Sequence, residues 1–268
     1  MILHGEFFSK CLRKVIAFKA ILPIDAPDAT EELDAAQNQK FKTLYLLHGY
    51  CGNCNDWLLN SKIQALSTEH TIAVIMPSGD NGFYVDNING ARYGEYIGRE
   101  LVAVTRRLFP LSEKREDTVI GGLSMGGYGA IRNGIKYADT FGSILGLSSA
   151  LITDAVAESH GEMPGAPENP EFYRSIFGDA DKLLGGENDP KALAKRRKES
   201  GKPFPGIYMA CGTEDFLIEP NRNLRDFYCE LHIDLTYEEA PGVHDWVFWD
   251  TYIKKALDWY AGRNKDGK

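Results

Sequence analysis

The stretch Thr118-Val-Ile-Gly-Gly-Leu-Ser124-Met-Gly-Gly-Tyr-Gly-Ala-Ile-Arg-Asn-Gly-Ile-Lys-Tyr137 governs how the rest of the chain is read. Thr118 to Ile120 is apolar without the polar alternation of a half-exposed strand, so it reads as a strand covered on both faces. Gly121-Gly122 follows at once, and a helical pattern runs on to Tyr137. Between them, Gly122-Leu123-Ser124-Met125-Gly126 fits G-x-S-x-G at a strand-to-helix turn. Ser124 would then stand at the helix N-terminus, whose positive dipole end favours a developing oxyanion. Small residues flank it because a crowded turn leaves no room for side chains. The bare motif also arises by chance in glycine-rich turns that bind phosphate or nothing, so its partners decide its meaning.

Outward from this stretch, short apolar runs recur, each followed by a turn and a helical pattern, as in an α/β sheet. Lys14 to Leu22 reads as a strand closed by Pro23, and Thr43 to Leu47 and Thr71 to Met76 read as buried strands. Ser143 to Leu147, Ile207 to Cys211 and Leu235 to Glu239 are the later ones. Ala26 to Lys40 is polar and acidic and reads as a turn or loop. Gly94 to Phe109 has helical spacing, and a closing helix from about Asp245 to Tyr260 offers Val247, Phe248, Tyr252, Ile253, Ala256 and Tyr260 as one apolar face. Between Ser149 and Pro205 the alternation stops. Pro164, Pro167, Pro170, Pro190 and Pro203 interrupt it, so 149–205 is expected to be a cap-like insertion over one end of the sheet within a single domain, 1–268.

A serine hydroxyl needs a base to take its proton. After Ser124 the histidines are His160, His232 and His244. His160 lies in the insertion and His232 before a strand. His244 follows a strand and a Pro241-Gly242 turn and precedes the last helix, where a loop can present an imidazole. The acid is expected just beyond Ile207 to Cys211, where Glu214 and Asp215 both stand. Asp215 is favoured because its shorter side chain holds an imidazole more rigidly, fixing its tautomer. Two backbone donors are needed for an oxyanion. Met125 follows the nucleophile, and Tyr50 follows His48-Gly49 at the end of the Thr43 to Leu47 strand.

Thirty Lys+Arg against 38 Asp+Glu give a formal charge of -8, which argues against a nucleic-acid partner and against docking on anionic lipid. No apolar run approaches the roughly 20 residues of a membrane span. Met1 to Pro23 lacks the apolar core of a signal peptide, so the expectation is a cytoplasmic protein, although a chain trimmed of its leader would read the same way. Oligomeric state is not legible. Cys51-Gly52-Asn53-Cys54 is a C-x-x-C with no second pair or histidine cluster to complete a zinc site, and reads as incidental or as an oxidisable pair.

Taken together, these residues resemble the esterase D-like branch of the α/β-hydrolases, nearest to bacterial tributyrin esterases and the related feruloyl and acetylxylan esterases. The likeness is carried by Leu46 to Gly49, Ser78 to Asp86, Gly122 to Gly129, Cys211 to Phe216 and His244 to Asp250, in family order. It implies an α/β-hydrolase fold with a mostly parallel sheet flanked by helices, and a triad of Ser124, Asp215 and His244. It further implies Tyr50 and Met125 as oxyanion donors, small-molecule esters with short acyl groups as substrates, an acyl-enzyme intermediate, and no cofactor or metal. Feruloyl or acetyl esters of plant-polysaccharide fragments, thioesters such as S-formylglutathione, and a silent hydrolase-fold binding protein are the alternatives. Among the aromatics, Phe248 and Trp249 are expected in the core. Trp246, Phe172 and Phe177 are the candidates to line a substrate pocket, the last two from a helical face with Tyr173 and Ile176 in the insertion.

Overall fold

In the computed structural model, residues 1–24, 40–88, 90–163 and 168–265 are described. The acidic segment Ala26 to Lys40, apart from Lys40, lies outside them, as do Pro164 and Pro167. Among the described residues eight strands form one sheet in the order β1-β2-β4-β3-β5-β6-β7-β8. They are β1 (Ile2–Ser9), β2 (Lys14–Ile21), β3 (Lys42–Leu47), β4 (Ile72–Pro77), β5 (Thr118–Leu123), β6 (Ser143–Leu147), β7 (Gly206–Gly212) and β8 (Leu235–Ala240). From β4 to β8 every pairing is parallel, whereas β2 runs antiparallel to β4 and β1 antiparallel to β2.

The parallel strands read as continuous apolar runs because both faces are covered. Successive side chains alternate between the layers: Tyr45 and Leu47 join one core, Leu44 and Leu46 the other. On the first face lie a helix over 93–108 (α3), π-wound at Tyr96–Glu100, and the helix Met125–Lys136 (α4). On the second lie Asp56–Asn60 (α1), Ile63–Glu69 (α2) and the closing helix Trp246–Lys265 (α9). Phe248 and Trp249 are buried there, as the sequence suggests. Val247 is not: it is 77% exposed, because the helical stripe that packs runs through Trp249, Tyr252, Ile253, Ala256 and Tyr260.

One further difference from the sequence reading stands out. The stretch before Lys14 forms β1, an edge strand whose residues alternate between exposed and half-buried. The insertion is mostly helical, with Thr153–Ser159 (α5), Pro170–Phe177 (α6), where the sequence offers a helical apolar face, and Pro190–Glu199 (α7). Prolines open α6 and α7 without breaking them, since the first helical N–H has no intrahelical acceptor, and Asn169 and Asp189 cap the two helices. The helix Ile218–Glu230 (α8) follows β7. Its Asn221 grips both the amide and the carbonyl of Ser149, which anchors the start of the insertion.

Candidate active site

Ser124, Asp215 and His244 leave the sheet beyond β5, β7 and β8, outside the carboxyl ends of parallel strands where an open α/β sheet gathers its reacting groups. At the first of these turns, Ser124 has φ 54° and ψ −120°, a strained conformation for a residue with a Cβ. The turn is held by the Ser124 amide on the Leu147 carbonyl, 2.9 Å, and by the Ala150 amide on the Ser124 carbonyl, 2.9 Å. Its tightness requires glycine on both sides: a Cβ at Gly122 would come 2.5 Å from the Gly126 oxygen, and one at Gly126 2.5 Å from the Leu47 and His48 oxygens.

His244 bridges the other two residues. Its Nε2 lies 3.0 Å from Ser124 Oγ and its Nδ1 2.8 Å from Asp215 Oδ2. Asp215 is buried, and its second oxygen accepts the Leu217 amide at 2.8 Å. Burial alone would raise its pKa, but these hydrogen bonds outweigh it and hold the carboxyl below its ordinary value. Glu214, the rival carboxylate, turns instead to the Gly242 amide, 2.6 Å, and braces the loop that carries His244. His160 and His232 stand outside this arrangement; His160 faces Asp181, and His232 follows α8 in a left-handed conformation.

The loop after β3 lies against the serine turn, where a Cβ on Gly49 would be 3.6 Å from Ser124 Cβ. His48 organises it. The Gly79 amide donates to Nε2 at 2.8 Å, so that nitrogen carries no proton and Nδ1–H donates to the Gly49 carbonyl at 2.7 Å. Burial pushes His48 below its ordinary pKa, which keeps this neutral tautomer. Anchoring the Gly49 carbonyl fixes the Gly49–Tyr50 peptide plane, whose N–H points the opposite way. Met125, first in α4, also has an N–H without an intrahelical acceptor. The His-Gly pair marked this loop in the sequence, but not the grip of the imidazole on its own loop.

Two of the three aromatic candidates, Trp246 and Phe177, are placed in core packing. Trp246 packs edge-on against Trp57 and Trp249, at 5.2 and 5.3 Å between ring centroids, and is part of the second core's rim. Phe177 is buried against Phe83 and Tyr128, at 5.2 and 6.0 Å, so it is a core residue because the inner face of α6 is packed onto the sheet layer. Phe172 is half-buried and edge-on to Tyr50 at 6.2 Å, and the Tyr50 hydroxyl donates to Glu168. The insertion thus holds the side chain of the residue that follows Gly49. Phe216, not singled out from the sequence, is 75% exposed and lies 4.6 Å from the His244 ring. Its one signal was an aromatic directly after the acid.

Cys51 is exposed at φ 60°, Cys54 is buried, and both are free thiols. On the opposite layer Glu69, His70 and Asp258 gather with ligand atoms within 4.8 Å, but the Lys254 ammonium already bonds both carboxylates. Among the described residues no helix is long and apolar enough to cross a membrane.

The sequence matches a family model described as "Putative esterase" over residues 27–260. An acetyl esterase of Caldicellulosiruptor saccharolyticus is 46% identical over 261 residues, 97% of this chain and 98% of that protein. Two solved structures from Staphylococcus aureus superpose with a TM-score of 0.84 over 97% of this chain and 98% of theirs. One is a substrate-bound, fluorophosphonate-binding serine hydrolase at 29% identity, the other an S-formylglutathione hydrolase at 28%. A ferulic acid esterase at 20% identity, TM-score 0.77, shares the fold. The chain therefore belongs to the Esterase family and is a serine ester hydrolase built on the α/β-hydrolase fold.

Proposed function

We propose that the enzyme hydrolyses short-chain acyl esters, acetyl esters first among them, through an acyl-enzyme on Ser124. The observation that carries the reading is the continuous contact from Asp215 through His244 to Ser124 Oγ at a strained turn. The acetyl preference rests on the 46% identity to an acetyl esterase.

In the proposed reaction His244 Nε2 takes the Ser124 proton as Oγ bonds to the ester carbonyl carbon. Asp215 keeps Nδ1 protonated and stabilises the imidazolium without accepting its proton. The carbonyl oxygen, now negative, receives the Tyr50 and Met125 amides. The imidazolium then protonates the departing alcohol as the carbon–oxygen bond breaks. Water attacks the acyl-enzyme by the same route, giving its proton to His244, and the released Ser124 oxygen takes that proton back. His48 is a positioning residue here: it sets the peptide plane that aims the Tyr50 amide.

The insertion over 149–205 is proposed as a cap that steadies the loop of the proposed oxyanion donor. Support comes from the Phe172 and Glu168 contacts to Tyr50. A thioester reading is the alternative, favoured by the S-formylglutathione hydrolase at 28% identity. A kcat/KM panel of p-nitrophenyl acetate, butyrate and octanoate beside S-formylglutathione tests both. Acetate should lead; a hundredfold preference for the thioester would replace the ester reading. Fluorophosphonate labelling lost in Ser124→Ala would support the nucleophile, and labelling retained would reject it.

A further inference from the structure

The two ends of the sheet are finished differently. At one end β8 carries Glu238 and Glu239, which bond Lys255, Arg222 and Arg225 and surround that edge with charge. At the other end β1 is eight residues long and, among the described residues, pairs only with β2. It contains no proline or lysine, and Ile2 and Phe8 are 45% and 63% exposed. A long edge without proline or lysine invites another strand unless something covers it.

Its order is self-complementary. The exchange of hydrogen bonds between Met1 and Leu22 fixes the parity of the β1–β2 ladder. Leu3, Gly5 and Phe7 therefore turn their amides and carbonyls inward, and Ile2, His4, Glu6 and Phe8 turn theirs outward. A second β1 laid antiparallel about a twofold axis at Gly5 pairs Ile2 with Phe8 and His4 with Glu6, and the reverse. All four facing pairs are outward-bonding positions, so the ladder closes without a slip. The side chains agree with this register. On the exposed face one row runs Glu6 of the copy, His4, Lys19, and another runs Ile2 of the copy, Phe8, Val15, because His4 opposes Lys19 and Phe8 opposes Val15 within the chain. Carboxylate meets imidazole in the first row, as Glu6 already meets His4 within one strand at 3.3 Å, and apolar meets apolar in the second. A shift of one residue would set inward-bonding positions against outward ones.

We infer that β1 pairs with β1 of a second copy of this chain, antiparallel and centred on Gly5, to make a twofold dimer with one continuous sixteen-stranded sheet. Sedimentation velocity between about 1 and 100 µM tests this, with ester turnover as the check on folding. The wild type should sediment at twice the chain mass. Glu6→Pro removes an outward N–H that the single chain does not use, so it should halve the assembly and keep turnover. His4→Glu sets carboxylate against carboxylate and should raise the dissociation constant at least tenfold. The exchange His4→Glu with Glu6→His restores the opposed pairs and should return it to within threefold of wild type. A wild type monomeric at 100 µM, or an assembly that neither Glu6→Pro nor His4→Glu weakens, overturns the proposal. Weakening by His4→Glu that the exchange does not rescue also overturns it.

Discussion

Replacing Asp215 by Asn exchanges one oxygen for an NH2 group and, on the proposed mechanism, removes most of the turnover. In the native site one oxygen accepts the Leu217 amide and the other accepts Nδ1–H of His244, each at 2.8 Å. The Leu217 amide can only donate, so an Asn keeps its carbonyl there and turns its NH2 toward His244. An imidazole facing a donor carries its proton on Nε2. That nitrogen then donates to Ser124 Oγ, where it must accept. Restoring the productive tautomer sets N–H against N–H and forfeits a buried hydrogen bond, about 1–3 kcal/mol. The imidazolium formed during attack also loses its counter-charge. Unit charges about 4 Å apart at an effective dielectric near 20 attract by about 4 kcal/mol. Water reaching the ring offsets part of this, which leaves about 4–6 kcal/mol, or a loss of about 10³- to 10⁴-fold in turnover.

The assay is kcat and KM for p-nitrophenyl acetate, with thermal unfolding alongside to confirm the fold. Glu214→Gln is the paired control. Glu214 bonds the Gly242 amide and not the imidazole, so turnover should fall by less than about fivefold. An Asp215→Asn enzyme that keeps more than a tenth of wild-type turnover would refute the reasoning. So would Glu214→Gln as the more impaired of the two.

Ser124→Ala should lose at least about 10³-fold in kcat and fold normally. Ser124→Gly should be as inactive yet more stable by about 1 kcal/mol, since glycine tolerates φ 54°, and a melting temperature that does not rise in calorimetry would deny the strain. His48 has a lowered folded pKa, so below about pH 6.5 the unfolded chain binds the proton more readily and stability falls with pH, by up to about 1.4 kcal/mol per unit. Urea midpoints between pH 7 and 5 should show this slope flattened in His48→Asn; an unchanged slope would place the titration elsewhere. Phe177→Ala should cost about 3–5 kcal/mol of stability with the acyl-length profile unchanged, whereas a shifted profile would return Phe177 to the pocket. Phe172→Ala should lower kcat for acetate and octanoate alike, about tenfold, because it acts through Tyr50. A change in the acetate-to-octanoate ratio at constant acetate kcat would make it an acyl contact.

The parallel strands were legible because a strand buried on both faces must be apolar throughout, as in Thr118–Leu123 and Ile72–Pro77. Strand β1 is not legible in the sequence because a glycine, a histidine and a glutamate interrupt its apolar residues, and only pairing with β2 gives that pattern a face. Within the insertion the spacing of Phe172, Tyr173, Ile176 and Phe177 marks a helical face, whereas the prolines that open two of its helices are distinguished from breakers only by the preceding caps Asn169 and Asp189. Chain order narrowed the candidates for Ser124, Asp215 and His244, although 120 residues separate the first from the last. It could not separate Glu214 from Asp215 by structure, since neighbours on one turn point in different directions and the Gly242 amide captures the first of them.

What the sequence could not carry is support at one remove from the chemistry. The proposed Tyr50 donor is a backbone amide, so its identity says nothing about its aim. Four contacts bear on that aim, and three of them come from distant parts of the chain. His48 fixes the peptide plane from inside the loop, the Gly79 amide fixes the tautomer of His48, and Glu168 with Phe172 holds the Tyr50 side chain from the insertion. The same logic applies to His244, held by Asp215 from below while Phe216 and Trp249 flank its ring at 4.6 and 4.8 Å. A donor or base placed by several independent contacts loses little freedom when the substrate arrives, and that freedom is what a transition state would otherwise have to supply. On the proposed mechanism the insertion therefore bears on catalysis through the orientation of Tyr50.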